Sequence, residues 1–427
     1  MRSEASSIPN NSGGFPVPFD LKPFRDMLGE ILPRNRFYQK KYAGLQIDPD
    51  SFQHLSDLTS LPFTLKSDLI ADQHNYAPYG QILTYPLEDY CRLHQTSGTS
   101  SGRPLRWLDT PASWKGLLNC WTDSFPIMGL SSQDKFFFPF SFGPFLGFWT
   151  AFEAASGAGY LCLPGGGMTS TARLRFLLEH EATVICCTPT YALHLAELAD
   201  REKIDLAASA VRMLIVAGEP GGCIPATRER IEKVWGARVF DHYGMTEVGP
   251  VAVEMVELPR SLMLLQNHYL AEVIDPQSDL PVREGDVGEL VLTNLRRWGC
   301  PLIRYRTGDL VRLKPYQNRI CFEGGILGRT DDMIYIRGNN LYPASIEAVV
   351  RRFAEVIEFR IVVDHTGPLA DLSVEIEPTP FADSTNLAEL VARAIRDELL
   401  FRVDVKCVAT GVLPRFEMKA RRVVHIR

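Results

Sequence analysis

From Thr171 to Asp241 the chain alternates between helix-like and strand-like runs, and this alternation constrains its fold more than any other feature. Arg173 to Glu179, Tyr191 to Asp200 and Pro225 to Trp235 read as helices. Between them Thr183-Val-Ile-Cys-Cys187, Arg212-Met-Leu-Ile-Val-Ala217 and Ala237-Arg-Val-Phe-Asp241 are short apolar strands. Strands separated by helices of this length predict βαβ units and a mainly parallel sheet. Ligands of such sheets bind beyond the carboxyl ends of the strands. The loops expected there are Thr188-Pro189, Gly218-Glu219-Pro220 and His242-Tyr243-Gly244.

Elsewhere the pattern changes. The first twenty residues are rich in Ser, Asn, Gly and Pro and predict a loose arm. Leu21 to Tyr42 has helical spacing. Phe136 to Phe152 has no charge and many aromatics, but Pro139, Gly143, Pro144 and Gly147 interrupt it. It reads as buried turns and strand rather than a membrane span. After Pro250 strands dominate, with Tyr269 to Ile274 and Glu289 to Thr293 suggesting a smaller β region. From Asp331 strands and helices alternate again over about 95 residues, enough for a compact α+β unit. The predicted elements are strand Ile334 to Arg337, helix Pro343 to Arg352, strands Glu358 to Val363 and Leu372 to Ile376, and helix Leu387 to Leu400.

The length of 427 residues allows two to four domains, and 45% hydrophobic residues provide ample core. A net charge of −6 argues against a nucleic-acid partner. The nine cysteines are scattered, odd in number and without a C-x-x-C pair, which fits reduced cytoplasmic thiols. No apolar signal region is expected at the N-terminus.

Five segments could carry chemistry. Gln95-Thr-Ser-Gly-Thr-Ser-Ser-Gly-Arg-Pro104 offers backbone N–H and hydroxyl donors, as a phosphate cradle does, but lacks the P-loop Gly-Lys-Ser/Thr. Read alone, it is more often a surface loop. Asp241-His-Tyr-Gly-Met-Thr-Glu247 follows a buried strand and supplies an aromatic face, a hydroxyl and a carboxylate suited to Mg²⁺. Read alone, it is equally a turn into a helix. Arg304-Tyr-Arg-Thr-Gly-Asp309 places a carboxylate on a tight turn, where it could accept ribose hydroxyls or sit solvated. Gly328-Arg-Thr-Asp-Asp332 contains a candidate ion pair, and Pro414-Arg-Phe-Glu-Met-Lys419 ends in a Lys that, alone, is a tail charge.

In this order the segments resemble the adenylate-forming superfamily of acyl- and aryl-CoA synthetases, luciferases and peptide-synthetase adenylation domains. The chain is most similar to the phenylacetate–CoA ligase family. Further matches are Asn35-Arg-Phe-Tyr38, Leu61-Pro-Phe-Thr-Leu-Lys-Ser-Asp-Leu69 and Ala217-Gly-Glu-Pro220, so the resemblance covers nearly the whole chain. It implies an α/β fold. Residues 1–330 would form a large domain of βαβ sheets plus a β subdomain, and residues 331–427 a small mobile α+β lid, hinged near Asp331.

The implied reaction has two steps. ATP and an aryl or other apolar carboxylic acid give an acyl-adenylate, and coenzyme A or a phosphopantetheine carrier then displaces AMP. Thr96, Ser97, Gly98, Thr99 and Ser100 would hold the pyrophosphate side. Gly218, Glu219, Pro220, Asp241, Tyr243 and Gly244 would surround adenine, with Asp309 and Arg329 at ribose. Thr246 would meet the α-phosphate, Glu247 would hold Mg²⁺, and Lys419 would bridge carboxylate and phosphate. His242 would lie near the carboxylate. Phe142 and Phe145, with Gly218 and Tyr243, would wall the acid. Arg337 and Gly338 would line the thiol tunnel after lid rotation. The compact phenylacetate–CoA ligase branch also implies a homodimer. No membrane partner is implied.

Three departures stand out. The phosphate loop is one residue longer than usual, with Arg103 where Lys is common. Met418 replaces the Gly that often precedes the Lys. Met255, and Leu264 or a neighbour, occupy positions where relatives carry zinc ligands, and Cys321 with His268 cannot make four ligands, so no zinc site is expected. The basic residues Arg415, Arg421 and Arg422 could meet a coenzyme A phosphate or solubilise the tail. A non-catalytic nucleotide-binding regulator is disfavoured because Lys419 and Glu247 are both present.

Overall fold

The computed structural model describes residues 19–96, 104–336, 339–366, 371–416 and 419–426. Among these, eleven strands join one sheet. Its parallel half orders Leu161–Pro164, Lys135–Phe138, Val184–Cys187, Met213–Ala217 and Arg238–Met245 side by side. The antiparallel half continues through Gly249–Met255, Leu258–Leu264, Cys321–Arg329, Tyr305–Leu313, Val287–Asn294 and Tyr269–Ile274. The strands after Pro250 therefore do not form a separate sheet; they extend the parallel one.

Local chemistry sets the helices. Pro189 opens helix Pro189–Arg201, and the Thr188 side chain accepts from the Tyr191 amide. Thr110 and Thr169 cap Pro111–Ile127 and Ser170–Glu179 in the same way. Gly236, at φ 60°, ends helix Pro225–Trp235 in the left-handed conformation that glycine adopts without strain. Alternate side chains of each central strand enter opposite faces of the sheet. Phe136 and Phe138 join one core cluster and Phe137 the other.

The aromatic stretch contains strand Lys135–Phe138, turns, and then helix Trp149–Gly157, which periodicity did not disclose because apolar residues surround it. The strand expected to stop at Asp241 runs to Met245. The chain reverses there into Gly249–Met255, so His242 and Tyr243 remain in a ladder opposite Val253 and Ala252. Another unforeseen hairpin pairs Arg92–Gln95 with Arg106–Asp109 and brings together the two ends of the Ser/Gly segment.

The C-terminal unit has its own sheet, ordered Asp404–Cys407, Asp371–Pro378, Val356–Asp364, Val423–Ile426. Helices Pro343–Val350 and Ser384–Leu399 contribute to its separate core. No helix among the described residues is long and apolar enough to cross a membrane.

Candidate active site

The parallel strands all point their carboxyl ends toward one edge, and four of the sequence motifs meet beside it. Tyr243, at the end of Arg238–Met245, donates its hydroxyl to Asp309 Oδ2 at 2.5 Å. Asp309 Oδ1 accepts from Arg329 Nη1 at 2.8 Å, and Arg329 Nε donates to Asp331 Oδ1 at 2.8 Å. The predicted adenine, ribose and hinge residues thus form one hydrogen-bonded series. Asp309 and Arg329 are cross-strand partners, which explains why residues twenty positions apart meet. Burial raises the Asp309 carboxyl, against the pull of Arg329. Tyr243 is held well above its ordinary range by burial and by Asp309, so its hydroxyl keeps its proton.

Asp241 is buried beside Cys223. A Cβ on Gly222 would lie 2.5 Å from Asp241 Cγ, so only glycine admits this carboxyl. Burial pushes the Asp241 pKa up to about 7. His242 faces the opposite side of the strand. Its ring stacks on Trp121 with centroids 4.0 Å apart, and burial pushes its pKa down to about 3. The ring is neutral at physiological pH, and its Nε2 has no hydrogen-bond partner among the described residues.

Thr246 and Glu247 are held by a residue that sequence reading missed. Arg297 Nη1 donates to the Thr246 carbonyl at 2.7 Å and the Glu247 carbonyl at 2.9 Å. Its Nε and Nη2 clasp Asp109 Oδ1 and Oδ2 at 2.6 Å each, with both side chains fully buried. The only sequence signal was two arginines inside the apolar run Leu295 to Cys300, and nothing linked it to an aspartate 188 positions earlier. The buried Glu247 side chain is paired with Lys66 Nζ at 3.5 Å. One such carboxylate, completed by phosphate oxygens and water, is a donor set that suits Mg²⁺.

Thr96 closes the base of the Ser/Gly segment: its Oγ1 accepts from the Leu105 amide at 3.0 Å. Ser97, Gly98, Thr99, Ser100, Arg103, Arg337, Gly338 and Met418 lie outside the described residues. Gly218 is exposed at φ 94°, and Glu219 Oε1 accepts from the Thr190 amide at 2.9 Å. Lys419, Arg415 and Phe416 of the C-terminal unit line a cavity of about 310 Å³ with Pro139, Phe140, Ser141 and Arg173. Lys419 also acts electrostatically on Asp309 and Asp332, partly opposing the burial that raises both carboxyls.

Of the aromatic residues, Phe142 packs edge-on against Trp149, Phe140 and Phe152, and Phe145 is half-buried nearby. Phe140, which the sequence reading did not single out, borders the Lys419 cavity. Arg415 and Arg422 are not tail charges. Arg415 pairs with Glu377 and Glu197, and Arg422 with Glu358 and Glu347. At the positions compared with zinc ligands, Met255 and Leu264 are core residues and His268 Nε2 lies 2.8 Å from Asp123. Among the described residues no group of three or more His, Cys, Asp or Glu could hold a metal ion.

Two family models match the chain, AMP-binding enzyme over residues 113–294 and AMP-binding enzyme C-terminal domain over residues 338–427. The phenylacetate-coenzyme A ligase of Thermus thermophilus is 31% identical over 94% of this chain and 94% of that protein. The Escherichia coli phenylacetate-coenzyme A ligase is 31% identical over 91% of this chain and 90% of that protein. The chain belongs to the phenylacetate–CoA ligase family of AMP-binding enzymes. It is an adenylate-forming acid–thiol ligase. Among solved structures, a 2-hydroxyisobutyryl-CoA ligase in the postadenylation state, with an acyl-AMP bound, superposes with a TM-score of 0.89 at 26% identity. That match covers 95% of this chain and 89% of the other. The same ligase in its thioesterification state, with acyl-AMP and CoA, scores 0.71 at 27% identity over 95% and 88% of the two chains. Coverage is nearly equal, so the difference between the scores is one of arrangement rather than of fold.

Proposed function

We propose that this ligase activates an aryl or other apolar carboxylic acid with ATP and passes the acyl group to coenzyme A. The observation that carries this reading is the series Tyr243–Asp309–Arg329 beside the carboxyl edge, with Lys419 acting on the same carboxylate. Asp309 uses one lone pair of each oxygen on Tyr243 and Arg329, which leaves acceptor capacity for two ribose hydroxyls. The Tyr243 ring covers adenine, with Gly218, Glu219, Pro220, Asp241 and Gly244 around its edge. Thr96 and the segment from Ser97 to Ser100 receive the pyrophosphate side.

In the first half-reaction a carboxylate oxygen of the acid attacks the α-phosphorus and pyrophosphate leaves. Lys419 brings the two anions together, and Thr246 donates its hydroxyl to the α-phosphate. Mg²⁺, held by Glu247, supplies charge neutralisation on the phosphates when bound. In the second, the thiol sulfur attacks the acyl carbonyl and AMP leaves. Rotation of residues 331–427 about Asp331 removes Lys419 and brings Arg337 and Gly338 to the thiol path. The unequal likeness to two states of one CoA ligase supports such a rotation. Phe142 and Phe145, joined by Phe140, wall the acid, and the neutral His242 lies below its carboxylate. We place the enzyme in the cytoplasm, in keeping with nine free cysteines, and as a homodimer on the family likeness.

A carrier-protein thiol is the second reading. An L-proline–[L-prolyl-carrier protein] ligase of Pseudomonas fluorescens is 26% identical over 60% of this chain. A panel of aryl and fatty acids, assayed for AMP release with and without coenzyme A, decides. Thioester formation on coenzyme A with apolar acids is the expected result. AMP release that no acid stimulates would overturn the adenylation reading.

A further inference from the structure

Lys419 is exposed on a segment that strand Val423–Ile426 does not yet hold, so something else must set its position. Three contacts surround it. The Ala420 amide, one residue later, donates to Glu219 Oε2 at 2.7 Å. Arg422 Nη2, three residues later, donates to Thr190 Oγ1 at 3.0 Å. Arg415 Nε, four residues earlier, donates to Glu197 Oε2 at 3.3 Å. Thr190 and Glu197 lie on one helix, Pro189–Arg201, and Glu219 is bonded to the amino end of that helix through the Thr190 amide.

We propose that Thr190 and Glu219 are positioning residues for adenylation: they clamp residues 419–422 against the amino end of helix Pro189–Arg201 and so aim Lys419. The proposal rests on the adenylation reading above. Glu219 accepts one amide from each unit, and its charge is favoured beside a helix N-terminus. Arg422 is 8% exposed and Thr190 9% exposed, so their bond is shielded from water. On the lid side Arg422 is held by Glu358 at 2.7 and 3.1 Å, and Arg351 shares that carboxylate at 3.2 Å. The arginine therefore reaches Thr190 from a rigid base. The same contacts must break before the lid can rotate, so the clamp favours the first half-reaction and opposes the second.

Thr190→Val removes the acceptor and keeps the side-chain shape, while Thr190→Ser keeps the acceptor. Losing one hydrogen bond to a charged group changes a two-state balance about tenfold. Amide hydrogen exchange of residues 419–422 should accelerate about tenfold in Thr190→Val and in Glu219→Gln, with strand Val356–Asp364 unchanged. Carboxylate-dependent pyrophosphate exchange, probed with phenylacetate, should lose about tenfold in kcat in Thr190→Val at unchanged KM for ATP. Thr190→Ser should restore it, and transfer from supplied phenylacetyl-adenylate to coenzyme A should not slow. Unchanged exchange protection would overturn the clamp, as would a loosened segment with wild-type pyrophosphate exchange. A wild type that adenylates no acid would refute the adenylation reading, and the hydrogen-exchange arm would still decide the clamp.

Discussion

Arg297→Met removes one guanidinium and four hydrogen bonds from the floor of the site. Two of the bonds hold Asp109, and two hold the carbonyls of Thr246 and Glu247. Methionine fills similar space, so the main loss is electrostatic. Asp109 stays fully buried without its cation, which destabilises a fold by about 3–5 kcal/mol. The paired variant Asp109→Leu with Arg297→Met removes the stranded charge. Its loss falls to that of the released carbonyls, about 1–3 kcal/mol. Activity should not follow stability. In both variants Thr246 and Glu247 lose their tether, so pyrophosphate exchange should remain depressed even where the paired variant folds well. Urea denaturation midpoints and carboxylate-dependent exchange, measured on single and paired variants, test this. A single variant losing under about 1 kcal/mol, or a paired variant regaining wild-type exchange, would refute the positioning of this turn by Arg297.

Lys419→Ala should abolish carboxylate-dependent pyrophosphate exchange and leave ATP binding largely intact in calorimetry; unchanged exchange would remove Lys419 from the first step. Asp331→Pro should impair thioester formation more than adenylation, and equal loss of both half-reactions would argue against a hinge there. Asp241 titrates near 7 when folded and near 3.8 when unfolded. Between those values the folded state holds a proton that the unfolded state has lost, so stability falls as pH rises through this window. Asp241→Asn should flatten that part of the profile, by at most about 4 kcal/mol between pH 4 and pH 8. Parallel profiles for variant and wild type would show that Asp241 is not the responsible group.

Much of the candidate site was legible because its residues sit in short, dense motifs. Tyr243, Thr246 and Glu247 are local to one turn, and a strand ending in such a turn marks a sheet edge. The helix start at Pro225 was equally plain, since proline fixes the backbone there, whereas Pro189, expected in a loop, opens its helix two residues before the expected start at Tyr191. The hairpin around the Ser/Gly segment was not legible, because Arg92–Gln95 and Arg106–Asp109 are four-residue strands without clear alternation. Helix Trp149–Gly157 was hidden by apolar residues on every side.

The pairings that hold the site together had no sequence signature at all. Asp109 with Arg297, Glu219 with Ala420, and Arg422 with Thr190 join residues 188, 201 and 232 positions apart. By itself the sequence determined three of the five parallel strands, the motif order and so the family and its chemistry, because periodicity and turn chemistry act over a few residues. Only the tertiary structure decided that the later strands extend the same sheet and that His242 packs on Trp121. It also decided that Arg415 and Arg422 are interface groups rather than a solvated tail. Those outcomes depend on which distant surfaces exclude water together, and no local pattern of residues encodes that.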